Sequence, residues 1–278
     1  YLISIPSRHK ILQRKTWIKI QPTAGGICLI KSYDRKYHYN RFRGTIQIRY
    51  SSRSNRLWAI NRLSLENYLK GMGEAGNTTD RYGDTLTYQK TMAVIARSYA
   101  AYYIQRGGRH QGEPFHMKNS RFGNGMDQVY HGYNREFANQ RKAVNRTQGV
   151  VVANSNNNIL ITPYSHGGYV KESKTRCLNR NGKWLKNRRI CLRTRSSKEV
   201  WGGAISHCHP AYDPYADRHW RCGTYGNHCV GLSATGAIGY ANAGKTYSWT
   251  LRHYYQNARV INKHYNPQIK VAIYGIRP

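Results

Sequence analysis

The stretch that decides the fold reads LSLENYLKGMGE over residues 63–74 and, further along, MAVIARSY over residues 92–99. Ser64 is typical of a helix N-cap, and Glu66 in the turn that follows favours a short helix there. The second part belongs to a pattern that predicts a long helix over about residues 86–105. Because its apolar side chains fall on one side, we expect this helix to be buried at the centre of the fold.

Short strands are predicted on both sides of this helix in the sequence. β-Branched residues and alternation indicate strands at residues 27–30, 43–49 and 57–60, and a closing strand at residues 269–273. Residues 150–165 are typical of a hairpin that turns at a run of asparagines. The sequence therefore predicts an α+β fold, with mixed short strands around a central buried helix.

The domain organisation follows from composition. Residues 1–41 are basic and have no clear period, so we interpret them as an N-terminal segment that packs on the domain. Residues 42–278 are predicted to form that domain. Within it, residues 171–222 are loop-rich, basic and rich in cysteine, and we interpret them as an insertion.

The charge of the chain is strongly unbalanced. Its 278 residues include 45 Lys and Arg against 12 Asp and Glu, which gives a formal net charge of +33. Such a charge favours a polyanionic partner such as wall polymer, nucleic acid or an anionic lipid surface. No recognised nucleic-acid motif accompanies it, so nucleic acid is disfavoured. The densest basic stretch, residues 180–195, is expected to form an exposed basic lobe.

The chain is interpreted as exported. No run of about 20 apolar residues is present, so no membrane span is predicted. The chain begins at Tyr1 without a signal peptide, and we interpret it as a mature or trimmed chain of the cell envelope or the extracellular space.

Six cysteines, five of them after residue 176, favour disulfides. Cys177 and Cys191 flank a basic segment that a disulfide would close as a hairpin. At least one more pair is expected among Cys208, Cys222 and Cys229. Neighbouring histidines keep a zinc site open as the alternative, although no C-x-x-C pair is present.

Several motifs in one order resemble the SpoIID/LytB family, which comprises stage II sporulation protein D and the amidase-enhancer proteins. The similarity runs from about Phe42 to Tyr255. The matching segments are residues 63–69 with Glu74, residues 93–100, Gln128-Val129-Tyr130-x-Gly132, His228-x-Val230-Gly231-x-Ser233 with Gly236-Ala237, and Tyr254-Tyr255.

The chain departs from the family pattern at three places. His166-Gly167-Gly168 stands where the family has Ser-Gly-Gly, and Ala234-Thr235 replaces its Gln-Trp. Some members carry cysteines of a zinc site before the Gln-Val-Tyr motif. Here His116 is retained, but no Cys lies between it and Gln128. We therefore expect neither a metal nor another cofactor.

The resemblance implies a peptidoglycan lytic transglycosylase, since sporulation members of the family cleave glycan strands in this way. It implies that Glu74 is the general acid and base. One carboxyl then serves twice, so the paired carboxylates of ordinary glycosidases are not required. The alternative is a non-catalytic structural component of the envelope that binds glycan or another polyanion.

The resemblance also implies a set of substrate-binding residues. These are Arg97, Tyr99, Gln128, Tyr130, His166, Gly167, Gly168, His228 and Ser233. Structural roles are open for several of them. Arg97 could pair with Glu74 or another group inside the protein, because a buried Arg is usually paired. Tyr99 could belong to the core, and His166 could lie in a solvated turn.

Overall fold

The computed structural model describes residues 18–22, 26–30, 39–74, 85–119, 127–171, 177–179, 181, 183–185, 190–202, 205–224 and 227–276. The chain divides into two units. The first comprises residues 1–74, 103–136 and 266–278, and the second comprises residues 75–102 and 137–265. The expected boundary between residues 41 and 42 stays a prediction.

A five-stranded sheet forms the body of the first unit. Its strands, in the order in which they lie side by side, are β1 (Ile18–Ile20), β4 (Thr45–Ser51), β5 (Arg56–Ser64), β15 (Gln268–Ile276) and β6 (Met117–Lys118). All neighbours are antiparallel except β15 and β6, which are parallel. A separate antiparallel pair joins β2 (Cys28–Leu29) and β3 (Arg41–Phe42).

The two faces of this sheet differ. On β15, Ile269, Val271 and Ile273 are buried on one face. The other face carries Gln268 and Lys270, and then Ala272, which packs in a small cluster with Trp58, Ile60 and Phe115. Side chains alternate between the faces of a strand, so one end of the second face is apolar and the other end is polar.

The short helix α1 (Leu65–Lys70) follows β5 directly and begins as predicted. The Ser64 hydroxyl accepts a hydrogen bond from the Asn67 N–H, which satisfies a backbone donor that the first helical turn leaves open. Glu66 lies in the first turn and Lys70 in the last, where their charges favour the helix dipole.

The long helix α2 (Thr85–Ile104) confirms the predicted central helix. In the second unit its buried side chains, including Met92 and Ile95, pack in a cluster with Leu251, Tyr254 and Tyr255. The other helices of this unit are α3 (Ala138–Arg146), α4 (Ser197–Trp201), α5 (Ala234–Asn242) and α6 (Tyr247–Tyr254). Helices and strands together confirm the α+β class.

The predicted hairpin over residues 150–165 is wrong in its second half. Strand β7 (Val150–Ala153) forms, but it pairs antiparallel with β14 (Arg259–Asn262). Ile159 makes a single bridge back to Ala153. The chain then passes through Pro163, which has no N–H to continue a ladder. Strand β8 (Tyr164–Ser165) pairs parallel with β13 (Leu232–Ser233) instead.

Two disulfides hold the insertion together. Cys177–Cys191 closes a loop that contains the hairpin of β10 (Cys177–Leu178) and β11 (Trp184–Leu185), as predicted. Cys222–Cys229 is the further expected pair, and both bridges pack with Val170 in one cluster. Strand β12 (Ile190–Cys191) pairs with β9 (Val170–Lys171).

The expected basic lobe is corrected at one position. Arg193 is 1% exposed, and its guanidinium donates to both carboxylate oxygens of Glu199, at 2.8 and 3.2 Å. Because the Glu199 carboxylate pairs its charge, Arg193 can be buried, and its role is structural. Lys183 is exposed and Arg195 is half-buried, while residues 180 and 186–189 lie outside the described residues. Within the described residues, no helix is long and apolar enough to cross a membrane.

Candidate functional site

Glu74 lies at the end of a short backbone ladder in the first unit. The Gly73 N–H donates to the Val129 carbonyl oxygen, and the His131 N–H donates to the Gly71 carbonyl oxygen, both at 2.9 Å. The Val129 N–H then donates to Glu74 Oε1 at 2.9 Å. Glu74 is half-buried, and one of its carboxylate oxygens is fixed by a backbone amide.

Glycines allow this ladder to close tightly. A Cβ on Gly73 would overlap the His131 imidazole, and one on Gly71 would lie 2.8 Å from the Gly132 carbonyl oxygen. The His131 ring in turn meets Tyr39 edge-on, with centroids 4.3 Å apart. The Gly-Met-Gly segment before Glu74 therefore allows a histidine ring and a tyrosine ring to lie close to the backbone that leads to Glu74.

Gln128 and Tyr130 lie beneath this ladder as part of the core. Gln128 is 2% exposed and accepts a hydrogen bond from the Tyr68 hydroxyl at 3.1 Å. Tyr130 is 1% exposed and donates from its hydroxyl to Asn61 Oδ1 at 2.9 Å. The Asn119 side chain also bonds the Tyr130 backbone from both its oxygen and its nitrogen. These contacts suit residues that position the ladder.

Two other carboxylates of the first unit are held in ion pairs. Asp127 lies 3.0 Å from Arg109 Nε and also contacts His110. Glu136 accepts from Arg43 Nε at 2.6 Å and from Arg43 Nη2 at 2.9 Å. The carboxylate raises the pKa of Arg43, as expected for a bidentate pair. Both carboxylates thus have a structural role.

Arg97 lies in the second unit and is fully buried. Its guanidinium donates to the Val150 carbonyl oxygen at 3.1 Å, to the Val144 carbonyl oxygen at 3.4 Å and to Thr147 Oγ1 at 3.5 Å. Carbonyls at the C-terminus of α3 lack helical partners and carry partial negative charge, so a cation is favourable there. This geometry favours the structural role left open for Arg97. Tyr99 is also buried and meets Tyr164 edge-on.

The parallel pairing of β8 and β13 brings two of the sequence motifs together in the second unit. The Thr235 N–H donates to the His166 carbonyl oxygen at 3.1 Å. Gly167 has a φ of +96°, and a Cβ there would overlap Ser233 Oγ, so only glycine fits. Ser233 Oγ accepts from the Gly236 N–H at 3.0 Å and caps α5. Gly168 is buried close to the Trp220 carbonyl.

Exposed aromatic rings lie beside both histidines of this cluster. His166 is exposed, lies 3.3 Å from an Asp217 oxygen, and its ring centroid is 5.2 Å from that of Trp220, which is 43% exposed. His228 lies 5.1 Å, between ring centroids, from Trp201, which is 45% exposed. Aromatic rings that are partly exposed in this way are suited to contact with a sugar or another flat surface.

His228 is held neutral. Burial lowers the pKa of its imidazole to about 4, against the opposing effect of a hydrogen bond with the Tyr164 backbone. Its Nδ1 accepts from the Val230 N–H at 2.9 Å. A ring that accepts at Nδ1 carries its proton on Nε2, and the hydrogen bond with the Tyr164 backbone uses that proton.

Asp213 is a buried carboxyl that sequence reasoning missed. It is 1% exposed, and burial raises its pKa to about 6, although Ser233, Tyr254 and nearby backbone groups oppose the shift. A Cβ on Gly236 would overlap this carboxylate. The residue lies in the loop-rich insertion about 20 positions before Ser233, so no spacing rule linked the two.

The cysteines considered as zinc ligands are unsuited to bind a metal in this structure. Cys222 and Cys229 form a disulfide, and burial raises the pKa of the Cys208 thiol to about 12, which disfavours the thiolate that binds metal. In the part of the chain that the structure describes, no three His, Cys, Asp or Glu side chains lie close enough together to hold a metal.

A scan against family models matches residues 53–153 to SpoIID, described as stage II sporulation protein. Residues 53–153 therefore match the family that the sequence motifs resemble. The matched region contains Glu74, Val129 and Arg97, whereas Ser233 and its neighbours lie beyond it. No match was found among curated proteins.

The SpoIID match indicates a sporulation or cell-wall related protein that associates with the cell wall. The two disulfides agree with an extracellular or envelope location, because such bonds persist in oxidising compartments.

Proposed function

We propose that this protein is a peptidoglycan lytic transglycosylase in which Glu74 acts alone as general acid and base. The observation that carries the proposal is the position of Glu74. It lies in the matched region, is half-buried, and has one carboxylate oxygen oriented by the Val129 N–H at 2.9 Å. A fixed carboxyl close to the surface is what proton transfer to a bound glycan requires.

The reaction needs one carboxyl and no added water. The protonated Glu74 donates its proton to the glycosidic oxygen, and the bond from that oxygen to the muramyl anomeric carbon breaks. The muramyl 6-hydroxyl then bonds to the same carbon and gives its proton to the Glu74 carboxylate. The products are a free 4-hydroxyl on the next sugar and a 1,6-anhydro-muramyl end, and the enzyme is regenerated.

The ion pairs of the first unit support this assignment. Asp127 and Glu136 are each held in an ion pair with an arginine, so both carboxylates already have a structural partner. Glu113 is half-buried and accepts a hydrogen bond from the Ser54 hydroxyl at 3.3 Å. It lies outside the ladder, which makes it a suitable control.

The test is digestion of purified sacculi by wild type, Glu74→Gln and Glu113→Gln. We expect wild type and Glu113→Gln to release anhydro-muramyl fragments at similar rates, measured by mass spectrometry. Glu74→Gln should lower the rate by about 100-fold or more, since loss of a general acid removes a contribution of that size. Equal release by all three proteins would contradict the proposal.

A non-catalytic glycan-binding role is the second candidate. The observation that favours it is the pair of exposed rings, Trp201 and Trp220, beside His228 and His166. It shares the cell-wall target and needs no proton transfer. Binding to sacculi with no release of fragments by wild type would support this role and exclude the first.

A further inference from the structure

One face of the sheet in the first unit carries converging cations. Arg62 on β5 is paired directly opposite Lys270 on β15, and opposite Thr45 on β4. Arg49 lies farther along β4 on the same face, because side chains alternate with a period of two. Like charges placed directly across an antiparallel pair are destabilising, so this arrangement lowers the stability of the folded protein.

Two neighbouring hollows follow this row of cations. The first has a volume of about 400 Å³ and is lined by Gln47, Arg49, Arg62, His116, Gln268 and Lys270. The second has a volume of about 420 Å³, and its lining includes Lys19, Thr45, Arg62 and Gln268. Arg62 and Gln268 line both, so the hollows adjoin. We call them together the cationic groove.

No acidic side chain of the described residues pairs with the three strand cations of the groove. Among the described residues, Arg49, Arg62 and Lys270 form no ion pair. Burial lowers the pKa of Lys270, and the charges of Arg49 and Arg62 lower it further. Burial, followed by the charge of Lys270, lowers the pKa of His116 to about 4. Burial is the larger cause of both shifts, and the neighbouring positive charges add to it.

We propose that the cationic groove binds successive phosphates of a phosphodiester-linked polyol or sugar polymer. Guanidinium groups bind phosphate through two parallel hydrogen bonds, and an ammonium group adds a point charge. Two adjoining hollows that share Arg62 suit a chain with repeated anionic groups. Among the residues that the structure describes, the hollows are lined by no Trp, Tyr or Phe on which a base could stack, which argues against a single-stranded nucleic acid.

This site is independent of the proposed cleavage reaction. It uses neither Glu74 nor its ladder, and it is tested by binding alone. The proposal also differs from a general attraction of the +33 chain for polyanions, because it assigns the affinity to three named side chains.

The test compares two variants that each lose three positive charges. The first is Arg49→Gln/Arg62→Gln/Lys270→Gln. The control is Arg141→Gln/Lys142→Gln/Arg146→Gln on exposed positions of α3. Binding of poly(glycerol phosphate), inorganic phosphate and a 20-base-pair DNA duplex is measured by calorimetry at one salt concentration. We expect the groove variant to bind the polymer about tenfold more weakly or worse, since charged hydrogen bonds are lost, and the control to change less than twofold.

Three outcomes overturn the proposal. Equal weakening of both variants would show general charge attraction. Equal affinity of wild type for polymer and inorganic phosphate, per phosphate, would exclude successive sites. Tighter binding of DNA than of polymer would identify a different partner.

If the triple variant fails to fold, Arg62→Gln alone replaces it, because this side chain is exposed and lines both hollows.

A second readout reports the site directly. An anion in the groove favours the charged form of the His116 imidazole, so its pKa rises. We expect an NMR titration of His116 to move upward by about one unit or more on addition of the polymer. No shift at saturating polymer would also overturn the proposal.

Discussion

The Asp213 carboxyl makes the stability of the protein depend on pH. Its pKa in the folded protein is about 6, above the ordinary value of 3.8, because it is buried. The folded state therefore binds a proton that the unfolded state has already released between these two values. Stability from this group is fully present below about pH 4 and is lost as the pH rises through about 6.

We expect Asp213→Asn to remove this dependence. Two pKa units correspond to roughly 3 kcal/mol, so the free energy of unfolding of the wild type should fall by about that much, relative to the variant, between pH 4 and pH 7. Urea denaturation at a series of pH values measures both proteins. If the free energy of unfolding of the two proteins changes equally with pH, ionisation of Asp213 does not cause the pH dependence.

Residue roles could be predicted from the sequence where the cause is local. The Ser64 cap is such a case, since its partner Asn67 is three positions away. The burial of Arg97 was predictable from the apolar helix around it. Its acceptors were not, because Val144 and Val150 lie about 50 positions away and reach it only in the folded unit. Asp213 was missed for the same reason.

At the scale of elements, the disulfides stabilise the insertion. Cys177–Cys191 closes a loop of 14 residues, and the described part of this loop contains a short hairpin. In the chain-entropy description, such a cross-link contributes roughly 3 kcal/mol by restricting the unfolded chain. Cys28 and Cys208 are buried free thiols.

We expect Cys177→Ser/Cys191→Ser to lower the free energy of unfolding by about 3 kcal/mol. Cys28→Ser, which removes a free thiol, is the control and should cost less. Intact-mass analysis with thiol labelling should count two free thiols in denatured wild type and two in the double variant without reductant, and six and four after reduction. Six labelled thiols in wild type without reductant would refute both bridges.

Elements with a strong local pattern were predictable, and their partners were less so. The central helix and the strands of the large sheet follow from periodicity. The hairpin over residues 150–165 failed because β7 is almost fully buried and pairs with β14, more than 100 positions away. Tertiary pairing overrides the preference of a strand for its neighbour in sequence.

At the scale of the whole molecule, the composition predicted an anionic partner but did not indicate which residues bind it. The basic residues are spread along the chain, and in its described part three acidic side chains are bound to buried or half-buried arginines. The cationic groove arises from strand register, which places Arg62 opposite a lysine that is more than 200 positions away. The sequence pointed instead to residues 180–195, where Arg193 is paired and buried.

The isotope content of the cleavage product tests the role of Glu74 most directly. Sacculi are digested by wild type in water enriched in ¹⁸O, and the fragments are analysed by mass spectrometry. Because the muramyl 6-hydroxyl is the nucleophile, we expect anhydro-muramyl ends that contain no ¹⁸O. With Glu74→Gln these ends should form more slowly, by about 100-fold or more. Reducing ends that carry ¹⁸O would show attack by water and would contradict a lytic transglycosylase with a single carboxyl.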